Sequence, residues 1–291
     1  MKIVYHLGTH NTDEGRILRC LLANKGVLSK QDIEAPGPSS YRAQLREAVN
    51  SLRGKAAPFD LQETILEKSL SNDHAKRVIF ESENFICIPG RVFMEGELYG
   101  NVGAKTRALR MLFPDQPVEF TLATRDLATL VPTLAKRTKA TSADELLDGA
   151  NIREQRWSRV VRDIKSHNPD CEVTVWCNED TPLLWPEVLQ AVGGYETDTE
   201  IMGENDFIAT LMTAAGMVRL EAYLKTHEPK NPQQRRRIVA AFLDKFGLED
   251  ELVEEVDLPG WTDDLVDALT ESYEQDFYAM AQIPGVKVLA P

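Results

Sequence analysis

The residues best suited to chemistry lie in the first turn of the chain. Gly8-Thr9-His10-Asn11-Thr12-Asp13-Glu14-Gly15 separates an apolar run, Ile3, Val4, Tyr5 and Leu7, from an apolar stripe, Ile17, Leu18, Leu21 and Leu22. The run is short and rich in β-branched and aromatic residues, which predicts a buried strand. The stripe recurs at helical spacing, and Thr9, Asn11, Thr12 and Asp13 can all cap the helix it predicts. A strand entering a helix through a tight polar turn aims backbone N–H groups at one spot, and that spot suits an anion. Polar residues also close three later apolar runs: Glu81 to Asn84, Thr124 to Asp126, and Asn178 to Asp180.

Those runs must be strands of one sheet for their ends to meet. Residues 77–81, 118–124 and 172–177 read as strands, each followed or preceded by helical periodicity. Predicted helices cover about 40–52, 61–70, 99–113, 157–167 and 185–192, with another opening at Arg125-Asp126 on Leu127, Leu130 and Leu134. Strand and helix in alternation predict an α/β fold with a mainly parallel sheet flanked by helices. Ligands on such sheets sit at the carboxyl ends of the strands. Residues 207–226, 232–246 and 262–281 read as three helices, which predicts a helical C-terminal third. The expected organisation is a single domain, residues 1–291, with an α/β core over 1–195 and a helical part over 196–291. Residues 195–205, acidic and poor in large apolar side chains, are the one plausible linker.

Composition bounds the function classes. The 291 residues are 43% hydrophobic and 27% charged, ordinary for a globular chain. No run of apolar residues is long enough to span a membrane, and the N-terminus lacks the basic flank and apolar core of a signal peptide. The net charge of −13 without a basic stripe argues against nucleic acid as a partner. Arg235, Arg236 and Arg237 read as a solvated helix face. Cys20, Cys87, Cys171 and Cys177 form no CxxC pair and read as free, mostly buried thiols, and the five histidines lack metal-ligand spacing, so no metal is expected. A cytoplasmic location fits these features.

The opening segment resembles the bacterial sulfotransferases, P-loop enzymes that use 3′-phosphoadenosine 5′-phosphosulfate and begin with a strand followed by Gly-Thr-His-Lys-Thr-Gly-Thr-Thr. Gly8, Thr9, His10 and Thr12 match that pattern; Asn11 stands at its catalytic lysine, Asp13 at its glycine, and Glu14 and Gly15 at its two threonines. By order of elements the resemblance covers about residues 1–195. The segment Tyr273-Glu-Gln-Asp-Phe277, followed by Pro284-Gly285, also resembles the end of bacterial members.

The resemblance implies a cofactor, 3′-phosphoadenosine 5′-phosphosulfate, and sulfuryl transfer to a hydroxyl of a glycan or small metabolite. It implies a phosphosulfate cradle at Gly8, Thr9, His10, Asn11 and Thr12, and a grip on the 3′-phosphate by Arg125 and, eight residues on, Thr133. The alternative for Arg125-Asp126 is structural, with Asp126 capping a helix and Arg125 paired to an acid. Glu83, in a Ser-Glu pair after a strand, and His10 are the candidate bases. The alternatives are a solvated glutamate and a loop histidine bonded to backbone.

Sulfuryl transfer, like phosphoryl transfer, relies on positioning and electrostatics. Asn11 supplies only a dipole in place of the lysine charge. Asp13 and Glu14 are expected to place two carboxylates where phosphate oxygens would lie, and to satisfy the helix N-terminus themselves. Arg16 or Arg19 would have to fold back to supply the missing cation. The second hypothesis is therefore a catalytically inactive sulfotransferase relative that serves as a binding or scaffold protein. The chain has no GxxxxGK[ST], no GxGxxG after a strand and no GxSxG, which argues against ordinary nucleoside-triphosphate hydrolysis, a nicotinamide fold and a hydrolase elbow.

Overall fold

A computed structural model of the chain describes residues 1–252 and 258–291. Six strands form one sheet: β1 (Lys2–His6), β2 (Ile33–Glu34), β3 (Arg77–Glu81), β4 (Val118–Thr124), β5 (Glu172–Cys177) and β6 (Val286–Leu289). Their order is β2-β3-β1-β4-β5-β6, and every pairing is parallel. The expected α/β fold is therefore present, with β1 central.

Alternation along β1 explains why it is apolar throughout. Ile3 and Tyr5 face one core, Val4 faces another, and all three are fully buried. A parallel sheet covered on both faces needs such a continuous run. The Ile3 face packs under α3 (Pro38–Leu52), α4 (Phe59–Ser69), α5 (Val102–Arg110), α6 (Leu127–Thr138), α8 (Trp157–His167) and α14 (Asp263–Ala281). The short α7 (Asp144–Leu147) lies on the same side. The Val4 face is covered by α1 (Arg16–Ala23), α2 (Lys25–Ser29) and α9 (Thr181–Gly193). Trp176, Trp185 and Val188 fill this second layer.

The chain after α9 differs from the sequence expectation in three ways. The predicted helix over 207–226 is broken into α10 (Asp206–Ala209) and α11 (Ala214–Thr226), the second capped by the Thr213 hydroxyl. The acidic segment 195–205 is fastened rather than free. Asn24 donates to the Met202 carbonyl at 2.8 Å and accepts from its N–H at 2.9 Å, and Trp185 donates to the Gly203 carbonyl at 2.9 Å. The basic run on α12 (Pro232–Phe246) is partly engaged, since Arg236 pairs with Glu187 of α9 at 2.6 Å and Arg235 donates to Asn205 at 2.7 Å. After the short α13 (Glu249–Leu252) and α14, the chain returns to the sheet as β6. Strands β2 and β6 are too short, at two and four residues, for periodicity to announce them.

Chain direction sets where a ligand belongs. From β1 the connections run toward β2 and β3 on one side of the sheet, and from β4 toward β5 and β6 on the other. The carboxyl ends of β1 and β4 thus border a topological switch point, where α/β sheets bind ligands.

Candidate functional site at the carboxyl edge

The Gly8–Gly15 turn leaves β1 at this switch point. Gly8, Asn11, Glu14 and Gly15 all take positive φ, at 52°, 57°, 51° and 73°. Successive N–H groups in turns of this kind make concavities for anions. Gly8 also admits a close approach, since a Cβ there would lie 3.0 Å from the Glu83 backbone nitrogen.

The turn is stapled from below by its own polar side chains. The buried Thr9 hydroxyl donates to the Ala123 carbonyl of β4, and Thr12 donates to the Thr9 carbonyl at 2.6 Å. Arg125, at the end of β4, donates through Nη1 to the Asn11 carbonyl, through Nη2 to Thr133 at 3.1 Å, and through Nε to Thr129 at 3.2 Å. The structure thus brings Arg125, Thr133 and the turn together across the switch point. Asp126 caps α6 by accepting from the Ala128 N–H at 2.8 Å. Arg125 is 4% exposed, and the turn and α6 are among its partners.

Asp13 does not face outward as its position in the turn suggests. One carboxylate oxygen lies 3.4 Å from His6 Nε2 and the other accepts from the Ile17 N–H at 3.2 Å. His6 Nδ1 meets the Thr121 hydroxyl at 3.0 Å, and its ring stacks on Trp176. Burial alone would lower the His6 pKa, but the Asp13 hydrogen bond and charge outweigh it and leave it raised. Burial alone would raise Asp13, and the His6 contact reverses that as well. Both shifts favour the charged form of the pair beneath the turn. Asp13 anchors α1 and its charge is met by His6, so it opposes a bound anion far less than an outward carboxylate would. Glu14 is the exposed one, 3.6 Å from Arg16.

Around the turn lies a cleft of about 550 Å³, walled by Gly8, Thr9, Asn11 and Gly15, by three cations, Arg19, Arg42 and Arg137, and by four carboxylates, Asp13, Glu14, Glu81 and Glu83. Arg19 folds back to the Glu14 carbonyl at 3.0 Å. Arg16 takes the other direction, over the Phe207 ring at 5.2 Å. Arg42 pairs with buried Glu81. Arg137 grips Glu83 with two hydrogen bonds, of 2.8 and 2.5 Å. That contact, aided by the Arg137 charge, holds the Glu83 carboxyl below its usual range.

His10 is fully buried and lies flat against Tyr99, whose hydroxyl is 2.9 Å from Nδ1 and accepts from the His10 N–H at 3.1 Å. Burial lowers its pKa, so the ring is neutral at pH 7. Among the described residues, Asn11 Oδ1 is buried with no hydrogen-bond partner, and the His10 ring also has Asn84 and the Cys87 backbone beside it. Arg42, Arg137 and Tyr99 carried no local signal in the sequence, because helix and loop positions distant in the chain deliver them.

On the far side of β4, Tyr273 of α14 binds the Thr124 hydroxyl at 2.9 Å and Glu179 Oε2 at 3.0 Å. Glu179 also accepts from the Asp126 N–H at 2.9 Å. This network fixes the carboxyl ends of β4 and β5 and their shared helix starts.

Cys20, Cys87, Cys171 and Cys177 are free thiols. Among the described residues, no group of His, Cys, Asp or Glu side chains is placed to hold a metal. No helix among them is long and apolar enough to cross a membrane. The fold and site together define a parallel α/β protein with a stapled, cation-flanked turn at its switch point. No protein-family model, curated protein or solved structure matches this chain.

Proposed function

We propose that the protein is sulfotransferase-like and that its turn cleft binds a 3′-phosphoadenosine nucleotide, either 3′-phosphoadenosine 5′-phosphosulfate or the 3′,5′-bisphosphate left after transfer. The observation that carries this reading is the turn itself. Four positive-φ residues precede α1, and Arg19, Arg42 and Arg137 stand around the opening, the last two paired to Glu81 and Glu83. Such a cleft offers N–H groups and cations to phosphate oxygens. The resemblance of Gly8-Thr9-His10 and Thr12 to the bacterial sulfotransferases supplies the nucleotide class.

Between binding alone and sulfuryl transfer to a hydroxyl, the geometry favours binding without turnover. Asn11 brings no charge to the position of the family's lysine. Glu83 is held ionised by the two-pronged Arg137 contact, and a carboxylate so stabilised is a poor proton acceptor. His10, the other candidate base, is fully buried and is not among the residues that wall the cleft, so it meets no acceptor hydroxyl there.

Thermal unfolding with adenosine 3′,5′-bisphosphate is the test. At 100 times its dissociation constant a ligand adds about 2.7 kcal/mol of stability, or about 5 °C at about 2 °C per kcal/mol for a chain of this size. The shift should shrink in Arg19→Gln and Arg137→Gln. No shift at millimolar nucleotide refutes the reading. Release of the bisphosphate from the phosphosulfate in the presence of hydroxyl compounds would restore the transfer hypothesis.

A further inference from the structure

A second cleft, of about 690 Å³, opens beside the first and shares only Pro38 and Arg42 with it. It runs between α3, the segment after β3 and α5. Leu45, Phe85, Ile86 and Leu109 give it an apolar floor. Among the described residues its charged lining is basic: Arg42, Arg46, Arg91 and Lys105, with no carboxylate. This occurs in a chain with 46 acidic and 33 basic residues. Arg42 is engaged by Glu81. Among the described residues, no ion pair joins Arg46, Arg91 or Lys105 to a carboxylate.

Unbalanced cations on a concave wall focus a positive potential that an otherwise acidic surface lacks. The cleft volume falls within the range of small-molecule sites, about 300–1,000 Å³, and such sites combine apolar walls with a few charged groups. Cys87 lines the same wall, and burial pushes its thiol up to about 12, so it stays protonated and adds no negative charge. Among the described residues, the charged side chains lining the cleft are thus all basic.

We propose that this cleft binds a small organic anion, with an aromatic or aliphatic body on Leu45, Phe85, Ile86 and Leu109 and a phosphate, sulfate or carboxylate at the Arg46, Arg91 and Lys105 rim. The proposal does not rest on the nucleotide reading, because no residue of the Gly8–Gly15 turn lines this cleft.

Isothermal titration of the full chain with 2-naphthyl phosphate and with uncharged 2-naphthol is the experiment. The phosphate binds at least tenfold more tightly than the naphthol, and the difference shrinks between 0.05 and 0.5 M salt. Changing Arg91→Gln together with Lys105→Gln weakens the phosphate at least tenfold and leaves the naphthol unchanged, with an unaltered circular dichroism spectrum. Arg46→Gln, on the exposed face of α3, acts in the same direction and serves as the second variant. Equal affinities for the two probes, no binding of either at millimolar concentration, or full affinity in all the variants overturns the proposal. So does loss of phosphate binding in Arg19→Gln, which would place the anion at the turn.

Discussion

Replacing Asp13 by asparagine removes the carboxylate that joins His6 to the start of α1. Both side chains are almost wholly buried, at 5% and 0% exposure. Removing one partner of a buried ion pair costs about 3–5 kcal/mol. The 3.4 Å separation is long, and His6 can shed its proton, so about 3 kcal/mol is the expected cost when the pair is charged. Asparagine keeps an oxygen to accept from the Ile17 N–H, so the cap itself survives. Where His6 is neutral in both proteins, the loss is about 1 kcal/mol, one hydrogen bond.

The two pKa directions fix the pH window. His6 is raised above its ordinary 6.5, so its contribution is complete below 6.5 and fades as pH rises through the higher folded value. Asp13 is lowered below its ordinary 3.8, so its contribution is present above 3.8 and fades only as pH falls through the lower folded value. The pair therefore stabilises most between about pH 4 and 6.5. At about 2 °C per kcal/mol, Asp13→Asn should lower Tm by about 6 °C at pH 5.5 and by about 2 °C well above the raised His6 value. Scanning calorimetry of both proteins between pH 5.5 and 9 measures the difference directly. A Tm difference that does not change with pH would refute the charged pair. The same reasoning predicts that Asp13→Gly will not open the turn to anions, because it removes the anchor of α1.

Two further outcomes test the frame around the turn. Gly8→Ala forces a side chain into a positive-φ position 3.0 Å from the Glu83 nitrogen, and strain of this kind costs about 1–3 kcal/mol. Its Tm should fall by several degrees and its response to the nucleotide should vanish, and an unchanged Tm would show that the approach is not tight. Tyr273→Phe leaves Glu179 and Thr124 short of a shared partner inside the fold; the cost is about 1–3 kcal/mol, read as a lower urea midpoint, and an unmoved midpoint would mean the network is already satisfied without the hydroxyl.

How much of this was legible in the sequence follows from the range of each interaction. Local patterns determined the four longer strands, the boundaries of helices such as Trp157–His167 and Pro232–Phe246, and the α/β class, because periodicity and caps act within one element. The turn after β1 and the Arg125 and Thr133 spacing were also visible, and a parallel sheet was enough to expect their meeting at one edge. Tertiary structure alone decided the rest. Strands β2 and β6 exist because neighbouring strands supply their hydrogen bonds, which a two- or four-residue run cannot announce. Asp13 looked like a repelling charge in the turn, and only the placement of His6, at the end of the adjoining strand with its ring turned under the loop, made it an anchor. Glu83 was visible as a carboxylate after a strand, and only the fold brought Arg137, from α6, onto it. In each case the sequence named the side chain, and a partner distant in the chain or beneath the loop set its charge and its role.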